Sequence, residues 1–352
     1  MELCAAERAA GIARGPDGRI EHGRDERNGL DDDCFRCRGN GTRRPGRCRV
    51  TRPAPTRGAA AGETTTAPVR VVAPGMFSTI QDLGRAGWFS AGVGVSGAAD
   101  RRSFTLANRL VGNDESAAAV ECLLGGLVLE FTAPAVVAVT GAPAPIALGG
   151  RPAAHASVLR PEAGQRLTLG VASTGMRCYV AVRGGIAVAP VLGSRSRDTL
   201  AGIGPEPLRA GDELPVGPPP ARWPEVDVAP VAAVTDAMIT ARVLLGPRQD
   251  WFARPEDLFA GPWRVSPDVD RVGVRLERGS ELPPLTRVDS AELPTEGMPL
   301  GAIQVPPSGQ PVVFLSDHPI TGGYPVIGTV LDADIDALAQ ARPGRQVRFV
   351  RA

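Results

Sequence analysis

Three residues within five positions, Gln81, Asp82 and Arg85, form the densest polar group in the chain. Gln81 both donates and accepts hydrogen bonds, Asp82 serves as a base or orients a neighbour, and an arginine fork grips a carboxylate at two points. Gly84, Gly87, Gly92 and Gly97 punctuate the same stretch and let backbone N–H groups approach a ligand closely. Ser96 adds a hydroxyl. The set suits a small molecule bearing an anion or an amide. The alternative is a solvated turn in which Asp82 and Arg85 satisfy one another.

A second group lies far along the chain. Gln304 has the paired donor and acceptor that an amide or ureido group needs. Asp317 then precedes Thr321-Gly322-Gly323-Tyr324-Pro325. Two glycines after a threonine predict a small anion-binding concavity, and Tyr324 offers a flat apolar face with a hydroxyl. The alternative is a tight turn with a core tyrosine. His318 is next to this turn but carries no expected general-base role. His22 and His155 are incidental, and Cys122 and Cys178 sit in apolar runs as inert core thiols.

The elements that must hold these groups are mostly strands. Gly 43 and Pro 34 favour turns, and apolar runs at 127–131, 135–140, 167–171 and 177–182 are short. Val69 to Val72 alternates like a strand. Asp100 caps a predicted helix reaching about Val111, with Phe104, Ala107 and Leu110 on one face and Gly112-Asn113 ending it. Five prolines between 215 and 224 mark a linker. Beyond it, 241–245, 311–315, 326–331 and 347–350 read as strands, and 334–341 as one short helix. The expectation is a mainly β protein with a first lobe at 68–217, a linker at 218–240 and a second lobe at 241–352, built as barrels or sandwiches.

Residues 1–67 are rich in Arg, Gly, Asp and Pro and lack an apolar period, so they are expected to form a disordered tail. Cys34, Cys37 and Cys48 resemble part of a zinc site but fall short of four well-spaced ligands. An alternative is that translation starts near Val69.

Composition excludes several functions. The net charge of +1 provides no field for nucleic acid or a membrane surface. No apolar run is long enough to span a bilayer and no signal core opens the chain, so a cytoplasmic location is expected. The 352 residues contain no lysine; every basic Lys+Arg residue is arginine. Schiff-base chemistry, a P-loop lysine and a covalently attached biotin are therefore absent from this sequence.

The order of motifs resembles the biotin-dependent carboxyltransferase family, which includes allophanate hydrolase subunit 2 and the C-type subunit of 5-oxoprolinase. The match runs through Thr79-x-Gln81-Asp82-x-Gly84-Arg85, Ser96-Gly97-Ala98-x-Asp100, Ala118 to Glu121 and Val191 to Ser196. It continues through Asp270-Arg271-x-Gly273, Gly301-x-Ile303-Gln304-Val305-Pro306, Thr321 to Pro325 and Gln340 to Gly344. Ile320 stands where a threonine is usual, Val269 where a serine is, and His318-Pro319 replaces a more polar pair.

That resemblance implies a cyclophilin-like β-barrel architecture with a few short helices. It implies the ATP-dependent opening of 5-oxo-L-proline to glutamate, with Asp82, Asp317 and Gln304 as catalytic residues. Gln81, Arg85, Ser96, Thr321, Gly322, Gly323 and Tyr324 would bind the substrate. Arg85 would clamp its carboxylate, Gln304 would read the ring amide, and Asp82 or Asp317 would handle a proton or Mg²⁺. ATP with Mg²⁺ would be shared with a partner, no metal site being expected in the chain itself. The partners would be a B-type subunit and an A-type hydrolase subunit. Two other functions remain open: carboxyl transfer from carboxybiotin to a urea-like substrate, and non-catalytic binding of a kinase-inhibitor protein.

Overall fold

Runs of apolar residues too short for helices, separated by glycines and prolines, become strands that bury one or both faces. The computed structural model describes residues 66–352 except 233, 289, 290 and 292. The expected tail, its zinc ligands and the question of the start therefore lie outside the described residues.

The first lobe opens with β1 (Thr66–Pro74), β2 (Phe77–Gln81), α1 (Arg101–Leu110), β3 (Ala119–Leu123), β4 (Leu127–Phe131) and β5 (Val137–Gly141). Short strands β6 (Ile146–Leu148), β7 (Arg151–Ala153) and β8 (Val158–Leu159) follow, then β9 (Arg166–Leu169), β10 (Arg177–Val182) and β11 (Glu213–Val216). They form two sheets, ordered β11-β1-β4-β9-β6-β7 and β2-β3-β10-β5-β8. Val71, Leu129 and Leu167 of the first meet Val120, Val139 and Val180 of the second in one apolar cluster, so this lobe is a sandwich. β10 is buried at all six positions because α1 covers the outer face of its sheet, with Phe104 and Ala107 against Tyr179 and Ala181. Cys122 and Cys178 face one another in the β3–β10 register, both free and buried. Burial pushes the Cys178 thiol up to about 12, which fits an inert core role.

Residues 217–238 contain no helix or strand among those described. The second lobe then runs β12 (Ile239–Leu245), β13 (Trp263–Val269), β14 (Gly273–Glu277), β15 (Glu296–Gly297), β16 (Ala302–Gln304) and β17 (Val312–Phe314). It ends with β18 (Thr321–Gly322), β19 (Val326–Val330), α2 (Asp332–Ala339) and β20 (Gln346–Arg351). Seven of these strands close into a barrel, β12-β19-β16-β17-β14-β13-β20. Alternating burial along β12 places Ile239, Ala241 and Val243 inside, where they join Trp263, Ile303, Ile327 and Phe349. The chain is mainly β, with a barrel in the second lobe and a sandwich in the first.

Candidate functional site

Two glycines make the first turn possible. Gly84 (φ 88°) and Gly97 (φ 99°) occupy the left-handed region, and a Cβ on Gly84 would lie 2.5 Å from the Val95 carbonyl oxygen. The resulting crossing is held by Arg85 N–H donating to the Val95 carbonyl (2.8 Å) and Ala98 N–H donating to the Asp82 carbonyl (2.9 Å). Gln81, Asp82, Arg85 and Ser96 thereby fall together, all buried.

Asp82 does not pair with Arg85 by a hydrogen bond. Its carboxylate accepts from the Gly84 N–H (2.8 Å), the Ser194 and Ser196 hydroxyls (2.6 Å each) and the Arg195 N–H (2.6 Å). It anchors the 194–196 loop to the end of β2. Gln81 donates to Thr79 Oγ1 (2.9 Å) and to the Arg197 carbonyl (3.0 Å), while its buried Oε1 has no partner.

Arg85 is 2% exposed and donates through Nη2 to the Ser196 carbonyl. Its Nε and Nη1 are buried without hydrogen-bond partners. Burial draws its pKa below the usual arginine value, against the opposing charges of Asp198, Asp82 and Asp317. Residues 86–92, which follow directly, are exposed and are pinned by Trp88 Nε1 donating to the Leu192 carbonyl (3.1 Å).

Asp317 comes from the second lobe and meets the first turn directly. The Ser96 hydroxyl donates to its Oδ1 at 2.6 Å, and Thr199 donates to Oδ2 through N–H (2.8 Å) and hydroxyl (2.7 Å). Arg271 forks onto the same carboxylate through Nε and Nη2, both at 2.9 Å. The fork continues into the first lobe: Nη1 donates to Glu121 Oε1 (2.5 Å) and Nη2 to the Gly97 carbonyl (2.6 Å). Glu121, on β3, also accepts from the Ala99 N–H (3.0 Å) and the Tyr179 hydroxyl (2.8 Å), with Arg177 Nε at 3.6 Å.

Burial opposes ionisation of Asp317, yet the contacting Arg271 outweighs it and holds the carboxyl below its usual range. Glu121 behaves the same way, with Arg271 and Arg177 overcoming burial. Burial alone would weaken the Arg271 charge, but Glu121 and Asp317 raise its pKa further. The seam is thus fully ionised and fully hydrogen-bonded.

Gln304, on β16, donates to the Tyr324 carbonyl at 3.3 Å. Thr321 and Gly322 form β18, paired with Glu296 and Gly297 of β15. Neither Gly322 nor Gly323 has a positive φ, so the small anion-binding concavity expected of them lacks the left-handed residue that such a backbone nest needs. Gly322 lies close to Gln304: a Cβ there would be 2.6 Å from Gln304 Nε2, so a larger residue would displace the end of that side chain. Tyr324 is 45% exposed rather than a core tyrosine. His318 turns Nδ1 to within 2.9 Å of the Pro319 carbonyl oxygen.

The structure therefore joins Gln81, Asp82, Arg85 and Ser96 with Asp317. It sets Gln304, Thr321, Gly322, Gly323 and Tyr324 in an adjoining patch. Gly94, two residues before Ser96, packs near Ile320, the residue before Thr321: a Cβ on Gly94 would sit 3.6 Å from Ile320 Cγ2. No hydrogen bond among the described residues links Arg85 to Gln304 or Tyr324. The seam residues Glu121, Arg271, Thr199, Ser194 and Ser196 are not marked by local spacing. Glu121 does carry one signal, a lone carboxylate inside the apolar run Ala119–Leu123, which demands a buried partner.

A β-sandwich and a β-barrel clasped by a buried arginine–carboxylate seam define the architecture of this protein. The carboxyltransferase domain family, subdomain A and B, matches residues 91–351, and the chain belongs to that family. It is 38% identical over 290 residues to the C-type subunit of 5-oxoprolinase from Escherichia coli K12, covering 80% of this chain and 91% of the relative. It is 34% identical over 307 residues to the urea amidolyase of Lachancea kluyveri, covering 80% of this chain but 17% of that protein. The crystal structure of TTHA0988 superposes with a TM-score of 0.72 at 35% identity, covering 81% of this chain. The chain spans 56% of that longer protein.

Proposed function

We propose that this chain is the C-type subunit of an ATP-dependent 5-oxoprolinase, acting with separate B-type and A-type subunits to open 5-oxo-L-proline to glutamate. The observation that carries this reading is the 38% identity to the Escherichia coli C-type subunit, extending over 91% of that protein. No helix among the described residues is long and apolar enough to cross a membrane.

Arg85 is the group in the site with capacity left for an anion. Two unmet donors on a buried guanidinium cost about 1–3 kcal/mol each, and a substrate carboxylate arriving there offsets that cost. Gln81 Oε1, also unmet, accepts the ring N–H, while Gln304 and Tyr324 line the adjoining patch and read the lactam carbonyl. Asp82 and Asp317 act by positioning, since four and five protein donors respectively already fill their oxygens.

Those filled carboxylates do not fit Mg²⁺. Among the described residues no group of three or more His, Cys, Asp or Glu side chains is placed to hold a metal. In this reading the nucleotide and its Mg²⁺ are shared with the partner subunit, which supplies the metal ligands.

The relation to urea amidolyase supports a second reading, carboxyl transfer to a urea-like amide. Lacking lysine, this chain would then need biotin carried on another protein. Reconstitution separates the two. Glutamate release from 5-oxoproline and ATP is expected when this chain is mixed with A- and B-type subunits, and loss of it when the chain is omitted. Unchanged release on omission refutes the assignment.

A further inference from the structure

The first lobe contains a cavity of about 410 Å³ that shares no lining residue with the seam or the Gln304 patch. Val69 and Val216 bring it against the six-stranded sheet; Phe131, Val136, Val182 and Trp223 are among its apolar wall residues. That volume lies within the usual range of small-molecule sites.

Three charged residues line it: Arg160 pairs with Asp227 at 3.0 Å, Glu162 is exposed to solvent, and Arg183 is buried. Arg183 has no carboxylate partner among the described residues. Nη1 donates to the Val111 carbonyl (2.7 Å), and Nη2 donates to the Pro220 and Arg222 carbonyls. Those bonds tie the end of α1 to the proline-rich segment but leave the positive charge unmatched. The Trp223 ring covers one face, 4.2 Å from the guanidinium carbon. Nε is buried and has no partner. The side chain is 7% exposed, so water offers the cation little compensation.

A buried guanidinium with no ion-pair partner among the described residues, in an apolar, aromatic-walled cavity, selects an anion with a hydrophobic body. We propose that this cavity is a second ligand site, one that takes a small aromatic monocarboxylate. Arg183 meets the carboxylate, and the ring lies among Phe131, Val136, Val182 and Trp223. The site stands apart from the 5-oxoproline reaction and does not rest on that assignment.

The test is calorimetric titration of the whole protein with sodium phenylacetate, alongside phenylacetamide, its uncharged counterpart. Saturable one-site binding of phenylacetate is expected, with phenylacetamide at least about tenfold weaker because it lacks the charge-assisted bond. Ala133→Phe, which fills the cavity, should abolish binding, and Arg183→Gln should weaken it by about tenfold or more. If Arg183→Gln does not fold, the Ala133→Phe variant and the phenylacetamide comparison decide the matter. No saturable binding of phenylacetate up to about 10 mM, equal affinity for the two probes, or undiminished binding in Ala133→Phe overturns the proposal.

Discussion

The Ser96 hydroxyl donates to Asp317 Oδ1 at 2.6 Å, joining the turn after β2 in the first lobe to the barrel of the second. Ser96 sits at φ 57°, a conformation that L side chains adopt rarely, so the backbone is bent to reach this partner. Arg271 crosses the same junction, gripping Asp317, Glu121 and the Gly97 carbonyl with one guanidinium. The relative placement of the candidate site's two halves therefore depends on one buried ionic cluster.

Removing the cation from that cluster should be severe. Arg271→Met leaves Glu121 and Asp317 buried without their main counter-charge, and a loss of about 3–5 kcal/mol is expected. Urea denaturation at pH 7 measures it; a loss under about 1 kcal/mol would mean that the seam is not what holds the lobes together.

The same cluster sets an acid limit. Glu121 and Asp317 have folded pKa values below their unfolded values of about 4, so the stability they contribute is present above that pH. It is lost as pH falls through the lower folded values. Stability should drop below about pH 4, and Asp317→Asn should flatten that drop while lowering stability at pH 7. An identical acid profile in the variant would contradict the ionised state of Asp317.

Asp336 is expected to show the opposite sign. Burial and the nearby Asp100 push its carboxyl up to about 6, so its ionisation disfavours the fold as pH rises from about 4 through 6. Asp336 also accepts from the Arg101 N–H at 2.9 Å, a bond that asparagine retains. Asp336→Asn should therefore raise stability by about 1–2 kcal/mol at pH 8, after allowance for its partial exposure, and by almost nothing at pH 4. Thermal melts at the two pH values decide it; equal effects at both would rule out the shift.

Gly84 links turn geometry to the site. A side chain there meets the Val95 carbonyl oxygen at 2.5 Å and also faces a positive φ. Gly84→Ala should cost more than about 1 kcal/mol and displace the adjacent Arg85. A raised KM for 5-oxoproline alongside a lowered Tm would register both; a fully native Tm would show that the crossing is looser than its geometry implies.

Local chemistry was readable in the sequence where a short segment decides the outcome. Asp100 caps α1 by accepting from the Ser103 N–H at 2.9 Å, and Phe104, Ala107 and Leu110 form its buried face. β4 and β10 fall at their expected bounds because their apolar runs end at turn residues. α2 begins at Asp332, two residues before the expected Asp334, since acidic residues suit a whole first turn. The seam was not readable, because Glu121 and Arg271 meet only through the tertiary fold, 150 positions apart. Nor was the conformation at Thr321-Gly322: local sequence permits an anion-binding turn, but pairing with β15 holds these two residues extended.

Arg85 carries the central claim, that a buried guanidinium with two unmet donors receives the substrate carboxylate. The direct measurement is the KM for 5-oxoproline in the reconstituted three-part assembly, comparing the native chain with Arg85→Lys, which keeps the charge but loses the fork. KM is expected to rise by about tenfold or more in a variant that keeps a native-like Tm. An unchanged KM in a folded Arg85→Lys chain would contradict the account.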